Sequence, residues 1–251
     1  MTQYQEWNGS RWQYMKEQSS WHFDNMRPPE HGKDSYTFVG NFRYSFKNII
    51  EKYIPIAQAS TWATRNNFNP KIASEGLYSA SAEQQDLIRV GADPDQEIFC
   101  RVAADDEPVF KYIAEYLGIE KPAIKFHNQK TGQMLHLHID NFAARPERDN
   151  SFKVTEMDEN PDIMRRFAIM LDDWKSGQIF QLGNAMYWQW SAGDCITWEW
   201  KDIPHCTANM GWDDRPMLQI TGYTTKKTKD LLDKAKDLGP FYHDISFTSF
   251  K

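Results

Sequence analysis

Apolar residues recur at helical spacing in two parts of the chain and at strand spacing in a third. Phe42, Phe46, Ile49, Ile50 and Tyr53 form one stripe and predict a helix over 42–54. Ser81-Ala-Glu-Gln84 has the form of a capping box and predicts a short helix that stops near Gly91. Over 107–117, Pro108 fits a first turn, Val109, Ile113 and Leu117 share a face, and Gly118 closes the end. From about 122 to 225 the pattern changes to short alternating runs: 123–127, 133–142, 166–174, 178–181, 186–190, 194–200 and 217–224. Turn-forming segments separate them, among them Lys130-Thr-Gly132, Lys175-Ser-Gly177, Leu182-Gly-Asn184 and Ser191-Ala-Gly193. Short strands at this spacing predict a sandwich or barrel. Helical character returns over 226–238, before Gly239-Pro240. The reading is mainly β with flanking helices (α+β), as one domain over 1–251. Within it, 1–121 is a helical cover, 122–225 a β-core, and 226–251 a closing helix and tail.

Composition narrows the class. The 251 residues suffice for a core without disulfides, and 40% hydrophobic with 25% charged residues excludes a disordered or fibrous chain. Net charge is −6 and the densest basic cluster is only Lys226, Lys227 and Lys229, so no nucleic-acid partner is expected. No apolar run approaches the ~18 residues of a membrane span, and the first residues carry no apolar signal region. Three cysteines are too few for a disulfide framework. The expectation is a reduced, cytoplasmic protein with no membrane partner. The 10 tryptophans fall in two groups, four at Trp7, Trp12, Trp21 and Trp62 and six from Trp174 to Trp212. Alternation pairs Trp188 with Trp190 and Trp198 with Trp200 on common faces. Some of these fill a core; others are candidates to wall a site, with Trp7, Trp12 and Trp21 as candidates for an N-terminal cover.

The chemistry concentrates in Met134-Leu-His-Leu-His-Ile-Asp-Asn141. Strict alternation puts His136, His138 and Asp140 on one face of a strand. Burying two imidazoles and a carboxylate without partners is costly. A metal ion or a hydrated cavity resolves that cost, and so does a solvated polar face. His205, in Asp202-Ile-Pro-His205, adds a ligand from a distant strand. Two histidines and one carboxylate leave open positions on iron, as in non-haem Fe(II) oxygenases. His22, His31, His127 and His243 have no such context and read as surface or packing residues. Arg215 enters an otherwise uncharged strand, Arg215-Pro-Met-Leu-Gln-Ile-Thr221. Its guanidinium can take a carboxylate bidentately, or form a local salt bridge with Asp213 or Asp214.

These residues together resemble the iron(II)/2-oxoglutarate-dependent dioxygenases. His138-x-Asp140, His205 and Arg215 stand in the family's order. Lys130-Thr-Gly-Gln133 resembles its turn before the first ligand, and Ser191-Ala-Gly-Asp194 its Gly-Asp/Glu segment. His205-x-x-x-Asn209, then Arg215 and Leu218-Gln-Ile, resembles its last two strands. The resemblance covers roughly 122–225. It implies a double-stranded β-helix, a jelly-roll or cupin-like barrel with N-terminal helices packed on it. It implies Fe(II) on His138, Asp140 and His205, and the distal carboxylate of 2-oxoglutarate on Arg215, with O2 as oxidant. Succinate and CO2 are then released as a substrate is oxidised, most commonly by hydroxylation. A carboxylate at Asp140 argues against halogenation, since halogenating relatives carry a small residue there.

The sequence departs from the family at several points. His136-x-His138 also resembles the metal motif of cupins, although the cupin glutamate is missing at Phe142 and Ala143. At ~3.3 Å per residue, His136 and Asp140 stand ~13 Å apart along a strand and cannot share one ion. His136 is therefore assigned to the second shell or the substrate side. Met217 stands where a polar residue commonly follows the arginine in the family; Gln219 and Thr221 have the same parity as Arg215 and are candidates to supply that polarity. Asn128 and Gln129 are candidates for further 2-oxoglutarate contacts. Arg145, in the loop 141–159, is either an exposed loop residue or a ligand for a substrate carboxylate. Asn184-Ala-Met-Tyr-Trp-Gln-Trp190 loosely resembles the aspartyl/asparaginyl β-hydroxylase and prolyl hydroxylase branches, without naming a protein substrate. The leading expectation is a hydroxylase of an amino acid, peptide or small metabolite. The alternatives are a metal cupin enzyme that needs no 2-oxoglutarate, such as an isomerase or a dioxygenase, and a non-catalytic sensor or binding module.

Overall fold

In chain order the protein forms β1 (Thr37–Arg43), α1 (Lys47–Ala59), β2 (Cys100–Ala103), α2 (Pro108–Tyr116), β3 (Ile119–Gln129), β4 (Met134–His138) and β5 (Met164–Met170). There follow β6 (Gln178–Leu182), β7 (Ala185–Tyr187), β8 (Asp194–Thr197), β9 (His205–Asn209), β10 (Arg215–Thr224), α3 (Lys226–Leu238) and β11 (Asp244–Ser246). The computed structural model describes residues 35–59, 100–140, 161–238 and 244–246. The expected helix at 81–91, the loop 141–159 with Arg145, the side chain of His136, and Trp7, Trp12, Trp21 and Trp62 lie outside the described residues.

Two sheets carry the strands, one in the order β11-β1-β8-β5-β10-β3-β2 and one in the order β4-β9-β6-β7. From β3 to β10 the chain crosses repeatedly between them. β3, β5, β8 and β10 lie in the larger sheet, and β4, β6, β7 and β9 in the smaller. This weave is the double-stranded β-helix, a cupin-like jelly roll in a β-rich α+β protein. β5 shows why period-two sequences settle here, because all seven of its residues are buried. Phe167 and Ile169 join the core under the helices, with Tyr53 of α1 and Phe110 of α2. Ala168 and Met170 join the core between the sheets, with Phe180, Trp190, Trp198 and Met217. The strand thus carries a buried layer on each face. No described helix is long and apolar enough to cross a membrane.

The helices at 108–116 and 226–238 stand where the pattern predicts them, the first with Pro108 in its opening turn and Gly118 at φ +70° just beyond it. The 42–54 helix is corrected. Phe42 belongs to β1, paired with Ile245 of β11, and the helix spans Lys47–Ala59. An apolar residue one helical turn from the next also fits a strand, and pairing of β1 with β8 and β11 decides the matter. Trp188 and Trp190 do not share a face: Trp188 is 59% exposed and Trp190 is buried. β7 ends at Tyr187, and Gln189 between them takes φ +52°, which breaks the alternation. Trp198 and Trp200 are both buried, but in separate clusters.

The Ser191–Asp194 segment is a turn tied on both sides. Asp194 accepts from the Ser191 backbone N–H, the Asn41 amide and the Tyr187 hydroxyl. Gly193 has φ +91°, and a Cβ there would lie 2.2 Å from the Phe42 carbonyl oxygen, so only glycine lets β1 approach. Phe126, fully buried and stacked at 5.5 Å on Tyr53, joins β3 to α1. Phe126→Ala is expected to cost ~3–5 kcal/mol in urea denaturation. Trp212→Ala, at a side chain 92% exposed, should stay within ~0.5 kcal/mol of the parent.

Candidate metal centre

β4 and β9 pair antiparallel, with Met134 opposite Ala208 and Leu135 opposite Thr207. Continued regularly, that register would set Leu137 against His205. A bulge between Leu135 and His138 shifts it, and His138 stands opposite His205. Bulges re-aim side chains in this way beside functional sites. The two imidazole centroids are 4.3 Å apart. Asp140, just beyond β4, is held by its backbone N–H on the Trp200 carbonyl at 3.1 Å. Its Oδ1 lies 4.0 Å from His138 Nε2, and its Oδ2 lies 3.8 Å from His205 Nε2. All three side chains are buried, and one ligand atom from each lies within 4.8 Å of the others.

The polar contacts fit a cation at this point. His205 Nδ1 lies 3.1 Å from the Ile203 carbonyl. A carbonyl only accepts, so Nδ1 carries the proton and Nε2 presents its lone pair. Arg166 of β5 donates Nη1–H to Asp140 Oδ1, and its Nε–H donates to Thr221 Oγ1 at 3.1 Å. Asp140 Oδ2 is buried with no hydrogen-bond partner. An ionised oxygen left so is costly without a counter-charge, and a metal ion on the two Nε2 atoms and this oxygen removes the cost.

Arg215, the first residue of β10, is buried in the same interior. It donates Nη1–H to Gln129 Oε1 at 2.6 Å, while Gln129 donates to Thr207 Oγ1 at 2.8 Å. Its guanidinium carbon sits 5.4 Å from the ring centres of both Phe180 and Trp190. Phe180 also neighbours His205, at 6.4 Å between ring centres, so one ring touches both the triad and the arginine. Trp198 stands 4.8 Å from His205. Arg215 Nε has no hydrogen-bond partner, and the side chain makes no salt bridge with a described residue. The local-bridge alternative is thus not what the fold adopts: Asp214 accepts from Asn128 Nδ2 at 3.0 Å. Burial lowers the Arg215 pKa to about 10, which still leaves it charged at neutral pH. Burying a cation without a counter-anion is costly.

Of the two candidate neighbours, Gln129 reaches Arg215 and Asn128 does not. Asn128 pairs with Cys100, whose side chain lies in the core under the helices. Thr221 contributes its hydroxyl to Arg166, and Met217 Sδ lies 4.0 Å from Arg215 Nη2. His127, read as a surface or packing residue, is buried on β3. Its imidazole is held well below its ordinary pKa by burial and then by Arg101, Lys125, Arg166 and Arg215. Arg166 is the residue that sequence reasoning missed. Its available sign was a charged pair, Arg165-Arg166, inside the apolar run Met164–Met170.

No family model and no curated protein matches the sequence. Among solved structures, the chain is similar to a Pseudomonas putida prolyl-4-hydroxylase at 11% identity, covering 78% of this chain and 96% of that one, with a TM-score of 0.43. It is also similar to a 2OG-Fe(II) oxygenase family oxidoreductase from Burkholderia pseudomallei, at 12% identity over 49% and 55% of the two chains, with a TM-score of 0.29. A sugar phosphate isomerase of the cupin superfamily from Silicibacter pomeroyi matches at 11% identity and a TM-score of 0.30 over 51% of this chain, which spans 60% of that protein's length. Likenesses this low carry no functional argument, which must come from the residues themselves.

Adding Zn(II) or Mn(II) is expected to raise the melting temperature, with ~4 kcal/mol of stabilisation at a thousandfold excess over Kd. Differential scanning calorimetry should show the gain reversed by a chelator and lost in His205→Ala. Arg166→Met leaves Asp140 Oδ1 buried without its donor, and is expected to destabilise the metal-free protein by ~3–5 kcal/mol in chemical denaturation.

Proposed function

We propose that this chain is an Fe(II)- and 2-oxoglutarate-dependent oxygenase. Its reaction joins 2-oxoglutarate, O2 and a substrate C–H bond to give succinate, CO2 and the hydroxylated product. The substrate is an amino acid, a peptide or a small metabolite. One observation carries the reading: a buried, charged arginine without a carboxylate partner among the described residues shares a wall with a buried His-Asp-His cluster. A metal cupin enzyme that needs no cosubstrate gives that arginine no role. A non-catalytic module would leave two buried charges uncompensated for no return.

His138, Asp140 and His205 would hold the iron, which supplies the redox chemistry that couples decarboxylation to oxidation of the substrate. Arg215 would take the distal carboxylate of 2-oxoglutarate through its planar fork. Gln129 fixes that fork through Nη1 and is itself held by Thr207. Arg166 keeps Asp140 Oδ1 occupied and so directs Oδ2 toward the metal position. Phe180, Trp190 and Trp198 line this interior and exclude water from it.

Anaerobic titration of Fe(II) and then 2-oxoglutarate should produce a weak visible charge-transfer band. Arg215→Gln is expected to weaken 2-oxoglutarate at least ~30-fold while metal binding persists. Asp140→Ala should abolish both. A wild-type protein that binds Fe(II) and gives no band, with no succinate formed across a substrate panel, overturns the reading.

A further inference from the structure

The ladder of the larger sheet shows which side chains share the interior with the metal cluster. Met217 of β10 has Met170 of β5 on one side and His127 of β3 on the other, and Arg101 of β2 stands beyond His127. The next row is Ala168, Gln219, Lys125 and Ala103, and the row after it Arg166, Thr221 and Ala123. Directly opposed residues of antiparallel strands lie on one face. Here that face belongs to Met170, Met217 and Ala168, which pack between the sheets. Cys100 and Phe126 lie on the other face, under the helices. Arg101 and Lys125 therefore project on the same side as Arg166, Arg215 and Gln129.

From the level of Arg215 to that of Thr221, these paired inward positions hold four basic residues, Arg101, Lys125, Arg166 and Arg215, and no acidic one. Burial first, and then the charge of each of the four, holds the imidazole of His127 well below its ordinary pKa. Two have roles already: Arg166 holds Asp140, and Arg215 faces the cosubstrate in the reading above. Arg101 and Lys125 have none there. Both are half-buried, neither sealed in the core nor fully in solvent. Arg101 is brought in by β2, which adds itself to the outer edge of β3. Among the described residues on the inward face of β2, β3, β5 and β10 the charge is positive, and a surface of one sign concentrates ions of the other.

We propose that Arg101 and Lys125 form a substrate-recognition subsite that binds an oxyanion, a carboxylate or a phosphate, on the molecule to be oxidised. The guanidinium suits a planar or tetrahedral oxyanion through paired N–H donors, and the ammonium adds a point charge beside it. Both side chains engage other residues of the chain, so an arriving anion exchanges contacts rather than meeting bare charge. The proposal rests on the oxygenase reading only in naming that molecule a substrate.

The test is calorimetric titration of the full chain, loaded with Zn(II) and saturated with 2-oxoglutarate so that the cosubstrate site is filled. The probes are N-acetylglycine, its neutral amide, and inorganic phosphate. At least one anion should bind while the amide does not, and preference between the two anions tells a carboxylate subsite from a phosphate one. Arg101→Gln and Lys125→Met should each weaken the anion tenfold or more, Arg101→Lys should restore part of the loss, and 2-oxoglutarate affinity should stay within twofold in all three. That unchanged affinity shows the variants to be folded. If neither anion binds the wild type, or if the anion binds a variant carrying both Arg101→Gln and Lys125→Met as well as it binds the wild type, the subsite is refuted. If 2-oxoglutarate itself fails to bind, the oxygenase reading falls instead, and the anion titration run without it still decides the subsite.

Discussion

A carboxylate buried between two sheets must be compensated at each oxygen, and the interior is arranged around that requirement. Asp140 meets it with two kinds of partner. Oδ1 takes a proton donor from Arg166, on the central strand of the larger sheet. Oδ2 takes none from the described residues and lies 3.8 Å from His205 Nε2. Arg166 in turn is braced by Thr221 of the neighbouring strand, directly across the ladder. One side of the carboxylate is thus locked by the fold, and the other is left without a donor among the described residues, open to the proposed cation.

The same division of labour recurs at Arg215. Gln129 and two aromatic rings hold the guanidinium, while its Nε and its charge have no counter-group among the described residues. Among the described residues the fold thus leaves one anionic oxygen without a donor and one cationic group without a counter-anion in a single aromatic-walled interior, which is the arrangement the proposed metal and cosubstrate would complete. Phe180, between His205 and Arg215, keeps those sites adjacent while it fills the volume that water would take.

Period-two alternation made much of this legible. It set His138 and Asp140 on one face, and the lone arginine opening an uncharged strand drew attention to Arg215. Seven of the eight strands from 119 to 224, all but β9, could be read in the same way, and two of the helices by their own period. What escaped depends on partners far along the chain. Arg166 looks like a charge misplaced in a core strand until Asp140 arrives from the other sheet. β2 is four residues long, too short to show a period, and so Arg101 had no context. Phe42 fitted a helical stripe because one apolar residue satisfies either period, and only its pairing across β8 and β11 chose between them. The bulge that brings His138 to His205 leaves no mark in residue types at all.

The β4–β9 pairing also has a kinetic side. His138 and Asp140 are neighbours in the chain, but His205 reaches them only when β9 has crossed back to pair with both β4 and β6. Ladders between distant segments close large loops before any contact rewards them, and such topologies fold slowly. On the proposed ligand set, a metal ion meeting the unfolded chain would find two of its three ligands close in sequence and wait for the third. Tight metal capture would then serve as a clock for completion of the β4–β9 pairing.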